Sequence, residues 1–502
     1  MCITHYFTFY EGKHFTLAFS NAHTLQRSIL RCGVRDSDMC LWHVIRKGTS
    51  FMKKALALFL ILILFCQLCL TSCGLIERIL LSTRDDVDAS VPSPDEGNDG
   101  NDKDEETTEP TLADIDVPER FKTAYTIDRA KLEAAAAAAT EKLLKIADEA
   151  DGKFPATSST NYQYVYGQNN NWTAGMYTGT YLMAYQLTGD ERFADIVEEH
   201  IDSFIYREEN RIGMGDHDVG FAFVPSCVGA YKILGSDDAK NAAIRAVEYY
   251  YDTGYSKEGK FIIRAFSWNN KDGFRTMIDS QMNASLFFFA GAHLGNDKYM
   301  DAATDHTMTT VDLIVRDDGS TYHHYQFDPE TAEPLYGVTW QGIADESCWA
   351  RGQSWGVYGF SIAHSYTNNQ KIMDAQRDVT YYMLNHLPED LIPYWDYTFT
   401  SGDEPRDTSA AAIAVCGMLD MAERLPEGSA QRIIYESAAA QIMEALIDNY
   451  TGSIGTEYDG LIHGVTHAKP QGIAIEECAP YADYFYLEAL ARYLDKDFIR
   501  PW

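Results

Sequence analysis

Residues 175–204 read GMYTGTYLMAYQLTGDERFADIVEEHIDSF, and this stretch contains the pattern on which the fold is built. An apolar segment rich in Gly, Ala and Thr is followed by a Gly-Asp turn and then by a segment with charged residues at helical spacing. A helix that is apolar all round is buried, whereas an amphipathic helix buries only one face. The stretch therefore predicts a helical hairpin made of an inner helix and an outer helix.

The same hairpin pattern recurs along the chain. Further copies occupy residues 219–251, 281–314, 351–386 and 409–447. The helices predicted at 129–150 and 483–494 have no sequence neighbour to pair with, and pairing them with each other closes a ring of twelve helices in six hairpins. The repeats thus predict an all-α fold, an (α/α)6 barrel, with an open solenoid of hairpins as the alternative.

Polar and aromatic residues cluster at the starts of the predicted inner helices. Successive starts carry Trp172, Asp216-His217-Asp218, Asp279 with Asn283, Trp349 to Trp355, Arg406-Asp407 and Tyr481-Ala482-Asp483. A single Asp at a helix start is usually an N-cap, and a single Trp usually belongs to the core. Their recurrence at equivalent positions of a closed barrel places them at one mouth, where aromatic rings, carboxylates and guanidinium groups together favour a carbohydrate site.

The carboxylates at these starts predict acid catalysis. Two carboxyl groups in one desolvated cavity do not both ionise easily, so one of them stays protonated near neutral pH and can act as a general acid. The helix N-terminus works in the opposite direction and lowers the pKa of an Asp. The pattern by itself leaves open whether Asp218 or Asp279 is the acid.

Composition and charge exclude several classes of function. The formal net charge is −33, which argues against binding to nucleic acid, to anionic membranes or to a long polyanion. A small anionic substrate held by a few local cations remains compatible with this charge. Cys227, Cys348, Cys416 and Cys478 lie far apart in apolar segments and are predicted to be buried free thiols.

Six motifs, in order along residues 125–495, resemble those of glycoside hydrolase family 88, the unsaturated glucuronyl hydrolases. They are HDVGF (217–221), IDSQMN (278–283), YHHYQFDPETAEP (322–334), WARGQSWGVYGF (349–360), PRDTSAAAIA (405–414) and DYFYLEAL (483–490). The resemblance implies removal of a 4,5-unsaturated uronic acid from the non-reducing end of oligosaccharides that a polysaccharide lyase has produced. The reaction is hydration of the vinyl ether, and the enzyme needs neither a cofactor nor a metal.

The resemblance also implies roles for individual residues. Asp279 would be the general acid and base, and Asp218 would hold the sugar ring and tune Asp279. The implied substrate-binding residues are Trp172, His217, His323, Thr339, Gln341, Trp349, Arg351 and Trp355. Because His324 is adjacent, the substrate-binding histidine could be either His323 or His324. The chain also has Tyr481-Ala482 where the family pattern leads us to expect Trp-Gly.

Three other functions remain as alternatives. An unsaturated rhamnogalacturonyl hydrolase of family 105 would share the barrel and the chemistry. A glycan-binding lipoprotein without activity would need the aromatic residues but not both Asp218 and Asp279. A polysaccharide lyase on the same barrel would need an extended anion-binding groove, which the net charge disfavours.

The first hundred residues are predicted to direct export. From Met52 the chain reads MKKALALFLILILFCQLCLTSC, a charged start and an apolar run that end in a lipobox-like Leu-Thr-Ser-Cys73. We expect residues 1–51 not to be translated, 52–72 to be a lipoprotein signal peptide, and Cys73 to carry the lipid that anchors the protein in a bacterial cell envelope; a transmembrane anchor is the alternative. Residues 73–116 are expected to form a disordered acidic tether and 117–502 the catalytic domain.

Overall fold

The computed structural model describes residues 111–266, 273–452 and 458–502. The predicted signal peptide, Cys73 and most of the predicted tether lie outside the described residues. The α-helices are α1 (Arg129–Ala150), α2 (Thr173–Thr188), α3 (Glu191–Glu209), α4 (Val219–Phe223), α5 (Gly229–Leu234), α6 (Asp237–Gly254), α7 (Ser280–Asn283), α8 (Ser285–Leu294), α9 (Asp297–Leu313), α10 (Ala350–Thr367), α11 (Gln370–His386), α12 (Thr408–Ala422), α13 (Ala430–Tyr450) and α14 (Pro480–Leu494). A π-helical segment, Val224–Val228, joins α4 to α5, and short 3-10 turns lie at Glu119–Phe121 and Lys469–Gln471.

The hairpin turns follow from local sequence. The inner helices α2, α5 and α8 end at Gly189, Gly235 and Gly295, whose positive φ angles of 65°, 73° and 58° favour glycine. The next residue in each case is Asp190, Ser236 or Asn296, and its side chain accepts a backbone N–H of the following outer helix. These turns therefore reverse the chain within two residues, as the hairpin pattern predicts.

The inner helices close into a ring. In chain order they are α2, α4–α5, α7–α8, α10, α12 and α14; each packs against the next, and α14 packs against α2. The outer helices α3, α6, α9, α11 and α13 each pack on the inner helix that precedes them, and α1 packs on α14. The fold is a helical barrel, and the pairing of the first helix with the last excludes the open solenoid.

The interior of the barrel is filled with aromatic side chains. Trp355 contacts Phe221 with ring centroids 4.9 Å apart and Phe485 at 5.6 Å, and the buried Trp502 stacks on Phe485 at 6.0 Å. The four cysteines predicted to be free thiols, Cys227, Cys348, Cys416 and Cys478, are indeed unpaired and buried. This packing closes the barrel beneath its mouth, so that a substrate can enter from one end.

The loops between the helices contain short strands, which the sequence pattern did not predict. They are β1 (Phe154–Pro155), β2 (Tyr166–Gly167), β3 (Tyr255–Ser256), β4 (Phe261–Ile262), β5 (Arg275–Met277), β6 (His324–Phe327) and β7 (Pro334–Val338). The antiparallel sheet β5-β6-β7 pairs Met277 with His324 and His324 with Val338. Because β5 runs directly into α7, this sheet forms one wall of the barrel mouth.

The end of the predicted tether belongs to the folded unit. Ile115 and Val117 are buried against the core, and the Asp116 carbonyl accepts a hydrogen bond from the side-chain amide of Asn385. The boundary expected at residue 116 is therefore too late, because Ile115 supplies an apolar side chain that the barrel covers. Among the described helices, none combines the length and the hydropathy needed to cross a membrane.

Candidate active site

The two acids at inner-helix starts do not act as helix caps. Asp218 precedes α4 and Asp279 precedes α7, and neither side chain accepts a hydrogen bond from its helix. Asp407, by contrast, caps α12 by accepting the N–H of Ser409. The carboxylates of Asp218 and Asp279 are therefore available to a substrate, whereas that of Asp407 is used by the fold.

Close backbone packing fixes the two acids relative to each other. The side-chain oxygen of Asn283 accepts the N–H of Phe221 at 2.6 Å, and its amide donates to the carbonyl of Asp279 at 3.1 Å. A Cβ atom on Gly220 would lie 2.4 Å from the backbone oxygen of Asn283, so only glycine allows this approach. Asn283 thus joins the start of α4 to the start of α7.

The acids lie in a cavity of about 210 Å³ at the mouth. Its walls are formed by Trp172, His217, Asp218, Phe221, Arg264, Arg275, Met277, Asp279, His324, Trp340, Gln341, Trp349, Arg351, Trp355 and His467. Of the ten site residues inferred from sequence, eight line this cavity. Thr339 and His323 lie behind its wall.

Burial controls the protonation of the acid pair. It raises the pKa of Asp279 to about 6; the His217 ring opposes this rise and the neighbouring Asp218 adds to it. Burial also raises the pKa of Asp218 well above its usual value, and Asp216 adds to the rise, while Arg264 opposes it. A carboxyl group with a pKa of about 6 can both give and take a proton near neutral pH.

Three imidazoles surround the carboxylates. His217 Nε2 lies 3.3 Å from Asp218 Oδ1, and His323 Nε2 lies 3.8 Å from Asp279 Oδ2. Burial lowers the pKa of His217, and it lowers the pKa values of His323 and His324 well below the usual range. Near neutral pH the rings of His323 and His324 are therefore uncharged polar groups.

His323 and His324 have different roles in the site. His323 Nδ1 accepts the backbone N–H groups of Trp340 and Gln341 at 3.3 and 3.2 Å, and Thr339 Oγ1 lies 3.5 Å from the same nitrogen. The neighbouring ring, His324, lines the cavity. His323 and Thr339 thus position the loop that presents Gln341, and their assignment to substrate contact stays a prediction.

Three tryptophans form aromatic walls. Trp172 is half-buried and stacks on Tyr481 with centroids 4.9 Å apart, so that the residue at the unexpected Tyr481-Ala482 position supports the platform. Trp349 contacts the His323 ring at 4.4 Å. Trp355 is almost fully buried and joins the cavity to the aromatic core. Trp172 is the most accessible of the three for stacking on a sugar.

Arg351 is more constrained than a free substrate-binding cation. Its Nη1 donates to Asp407 Oδ2 at 2.5 Å and to the Thr466 carbonyl at 3.0 Å, and its Nη2 donates to the His467 carbonyl at 2.6 Å. Both side chains of the pair are buried. The guanidinium lines the cavity, but its positive charge is balanced by Asp407, which the sequence could not pair with it.

Several lining residues were absent from the sequence prediction: Arg264, Arg275, Met277, Trp340 and His467. Arg275 and Met277 lie on β5, whose three residues are too few to give the alternating pattern that indicates a strand in a sequence. Asp216, His217 and Asp218 place ligand atoms within 4.8 Å of one another and, in the part of the chain described, could hold a cation. The absence of a metal in the reaction stays a prediction.

A helical barrel with two buried carboxyl groups and tryptophan walls at one mouth has the arrangement expected of a glycosidase. The model of glycosyl hydrolase family 88 matches residues 146–493. The unsaturated chondroitin disaccharide hydrolase of Streptococcus pneumoniae is 36% identical over 394 residues, 78% of this chain and 99% of the relative. The chain belongs to glycoside hydrolase family 88.

Solved structures agree with this assignment. The unsaturated glucuronyl hydrolase of Streptococcus agalactiae has a TM-score of 0.75 and 35% identity, over 79% of this chain and 99% of that one. A variant of the S. agalactiae enzyme in complex with dGlcA-GalNAc6S has a TM-score of 0.69 and 33% identity, over 79% and 99% of the two chains. The family, the fold and the glycosidase class are therefore confirmed.

Proposed function

We propose that this enzyme releases the 4,5-unsaturated uronic acid from the non-reducing end of lyase-generated oligosaccharides. The proposal rests on Asp218 and Asp279, which line one cavity. Neither side chain caps its helix, and burial raises the pKa of both carboxyl groups. A cavity that is closed below by the aromatic core can take the end of a chain and not its middle. This geometry supports removal of a terminal residue.

The proposed reaction is hydration of the vinyl ether. Asp279 gives its proton to C4, and a water molecule adds its oxygen to C5 while its proton passes to the Asp279 carboxylate. The hemiketal formed at C5 then opens to a C5 ketone and leaves C1 as a hemiacetal. Collapse of this hemiacetal to an aldehyde breaks the glycosidic bond and releases the shortened oligosaccharide. Burial, with a smaller contribution from Asp218, raises the pKa of Asp279 to about 6, so that a fraction of Asp279 carries the proton near neutral pH. Asp218 also binds the sugar ring.

We propose short unsaturated uronyl oligosaccharides as substrates, including those of the glycosaminoglycan type. The relatives support this choice, since the S. pneumoniae protein is a hydrolase of unsaturated chondroitin disaccharide and the S. agalactiae structure contains dGlcA-GalNAc6S. The walls formed by Trp172, Gln341 and Trp349 offer the stacking surface and the amide that such a ring needs.

Ultraviolet absorbance of the substrate's double bond tests the proposal. The enzyme should abolish the absorbance of an unsaturated chondroitin disaccharide, whereas a lyase acting on the polymer would raise it and a binding protein would leave it unchanged. Activity confined to unsaturated rhamnogalacturonan fragments would favour the family 105 alternative. In water labelled with heavy oxygen the label should enter at C5, and label at an anomeric carbon would contradict hydration.

We further propose that the protein is an exported lipoprotein of the bacterial cell envelope. The proposal depends on the lysine-led apolar run from Met52 and on the lipobox that ends in Cys73. Membrane contact would be made only through the lipid on Cys73, with the acidic segment as a tether. Mass spectrometry of the protein from its host should find lipidated Cys73 at the N-terminus, and peptides from residues 1–51 would contradict the proposed start.

A further inference from the structure

The positive charge in the cavity is distributed unevenly. Arg264, Arg275 and Arg351 all line the cavity. The charge of Arg351 is balanced by Asp407, and its N–H groups also serve two backbone carbonyls. Arg351 therefore has limited capacity to bind a further anion.

Arg264 differs from Arg351 in its surroundings. Its backbone N–H donates to the Arg275 carbonyl at 2.7 Å, and its own carbonyl accepts the N–H of His217 at 3.1 Å, so the backbone is held on both sides. Its side chain is partly buried and faces the cavity. Among the residues that the structure describes, no carboxylate oxygen lies within the 4.0 Å of an ion pair with its guanidinium.

The charge of Arg264 is felt by Asp218, whose pKa it lowers against the effect of burial, but no carboxylate of the described residues lies at ion-pair distance, and a partly buried cation in this position is stabilised when an anion joins it. The chain has 74 acidic and 41 basic residues, so most arginines can find a carboxylate partner. Within the described part of the chain, Arg264 lines the cavity without such an ion pair and is an exception to this excess of acidic groups. Arginine is also the side chain whose planar fork best matches the two oxygens of a carboxylate or sulfate. Arg275, on the adjoining strand, adds positive potential at the same wall.

We infer that Arg264 binds an oxyanion of the substrate and thereby determines its specificity for charged sugars; this inference rests on the proposed function. The oxyanion is either the carboxylate of the unsaturated uronic acid or a sulfate ester on the adjoining sugar. Both present two oxygens to the guanidinium. Arg264 lines the same cavity as Asp218 and Asp279, so its guanidinium can meet an oxyanion of a substrate bound beside these acids.

The test replaces Arg264 by Gln and measures KM and kcat on unsulfated and 6-sulfated unsaturated chondroitin disaccharides. Loss of a charge-assisted contact worth about 1.5–3 kcal/mol corresponds to a KM about 10–100-fold higher, with kcat less affected. A rise on both substrates assigns the contact to the carboxylate, and a rise on the sulfated substrate alone assigns it to the sulfate. Arg264→Lys, which keeps the charge, should recover part of the affinity.

The matched control is Arg192→Gln, because Arg192 is exposed in the first turn of α3 and pairs with Asp190. It removes the same charge away from the cavity and should leave KM unchanged. Unaltered KM in Arg264→Gln on both substrates, with the thermal unfolding midpoint preserved, would overturn the inference. Calorimetry then compares substrate binding by Asp279→Asn with binding by the double variant Asp279→Asn, Arg264→Gln. If the wild type turns over neither substrate but the loss of Arg264 still weakens binding, the proposed function fails and the inference about Arg264 stands.

Discussion

Replacing Asp279 by Asn should strongly reduce kcat and at the same time stabilise the folded protein. The residue is 9% exposed, and burial raises its pKa to about 6 from an ordinary value of 3.8. A difference of about 2 in pKa corresponds to about 3 kcal/mol. That is the free energy by which ionisation of Asp279 destabilises the folded state at pH 7.5, and an uncharged Asn avoids it.

The stability gained by Asp279→Asn should increase with pH. A carboxyl group with a raised pKa binds its proton more tightly in the folded state, so its effect on stability is absent below pH 4, and the stability falls as the pH rises towards 6. The advantage of Asp279→Asn should therefore be close to 3 kcal/mol at pH 7.5 and about half of that at pH 5. Urea unfolding at the two pH values measures it, while kcat should fall by roughly 10²–10⁴-fold.

Asp420 offers a matched control with the opposite expectation. It is also buried, but it pairs with Arg424, Arg492 and Arg500 at 2.7–3.1 Å. Burial favours a higher pKa, yet the three arginines outweigh it and hold the pKa of Asp420 well below its usual value. Asp420→Asn should thus destabilise the fold by about 3–5 kcal/mol. If Asp279→Asn lowered stability in the same way, or kept near wild-type activity, the assignment of Asp279 would be wrong.

Three further changes test other parts of the structure. Asp218→Asn should lower kcat and move the alkaline fall in activity to lower pH, because Asp218 raises the pKa of Asp279. A pH–rate profile measures this, and an alkaline fall at the same pH as in the wild type would contradict it. Arg351→Ala should destabilise the fold by about 3–5 kcal/mol because Asp407 is left buried without its partner, and adding Asp407→Asn should recover most of that loss in thermal unfolding. A chain beginning at residue 117 should be less stable than one beginning at 111 by about 1.5–3 kcal/mol, since it lacks the buried Ile115; equal unfolding midpoints would show that this segment does not contribute.

The sequence determined the barrel because the signals for it are local. The turns at Gly189-Asp190 and Gly235-Ser236 stop one helix and cap the next within two residues, and the alternation of wholly apolar and one-sided helices assigns each to the inner or outer ring. Family motifs such as HDVGF and IDSQMN identified Asp218 and Asp279 as a pair. Both kinds of signal lie within a few residues of the chain.

Only the tertiary structure decided which polar groups are free to act. Asp218, Asp279 and Asp407 all precede inner helices, yet only Asp407 caps its helix and neutralises Arg351, 56 residues away along the chain. The cavity position of Arg264 depends on backbone hydrogen bonds with Arg275 of β5 and with His217, which precedes α4. Ion pairing and desolvation depend on distances through space, and these are set when the ring closes and not by any local run of residues.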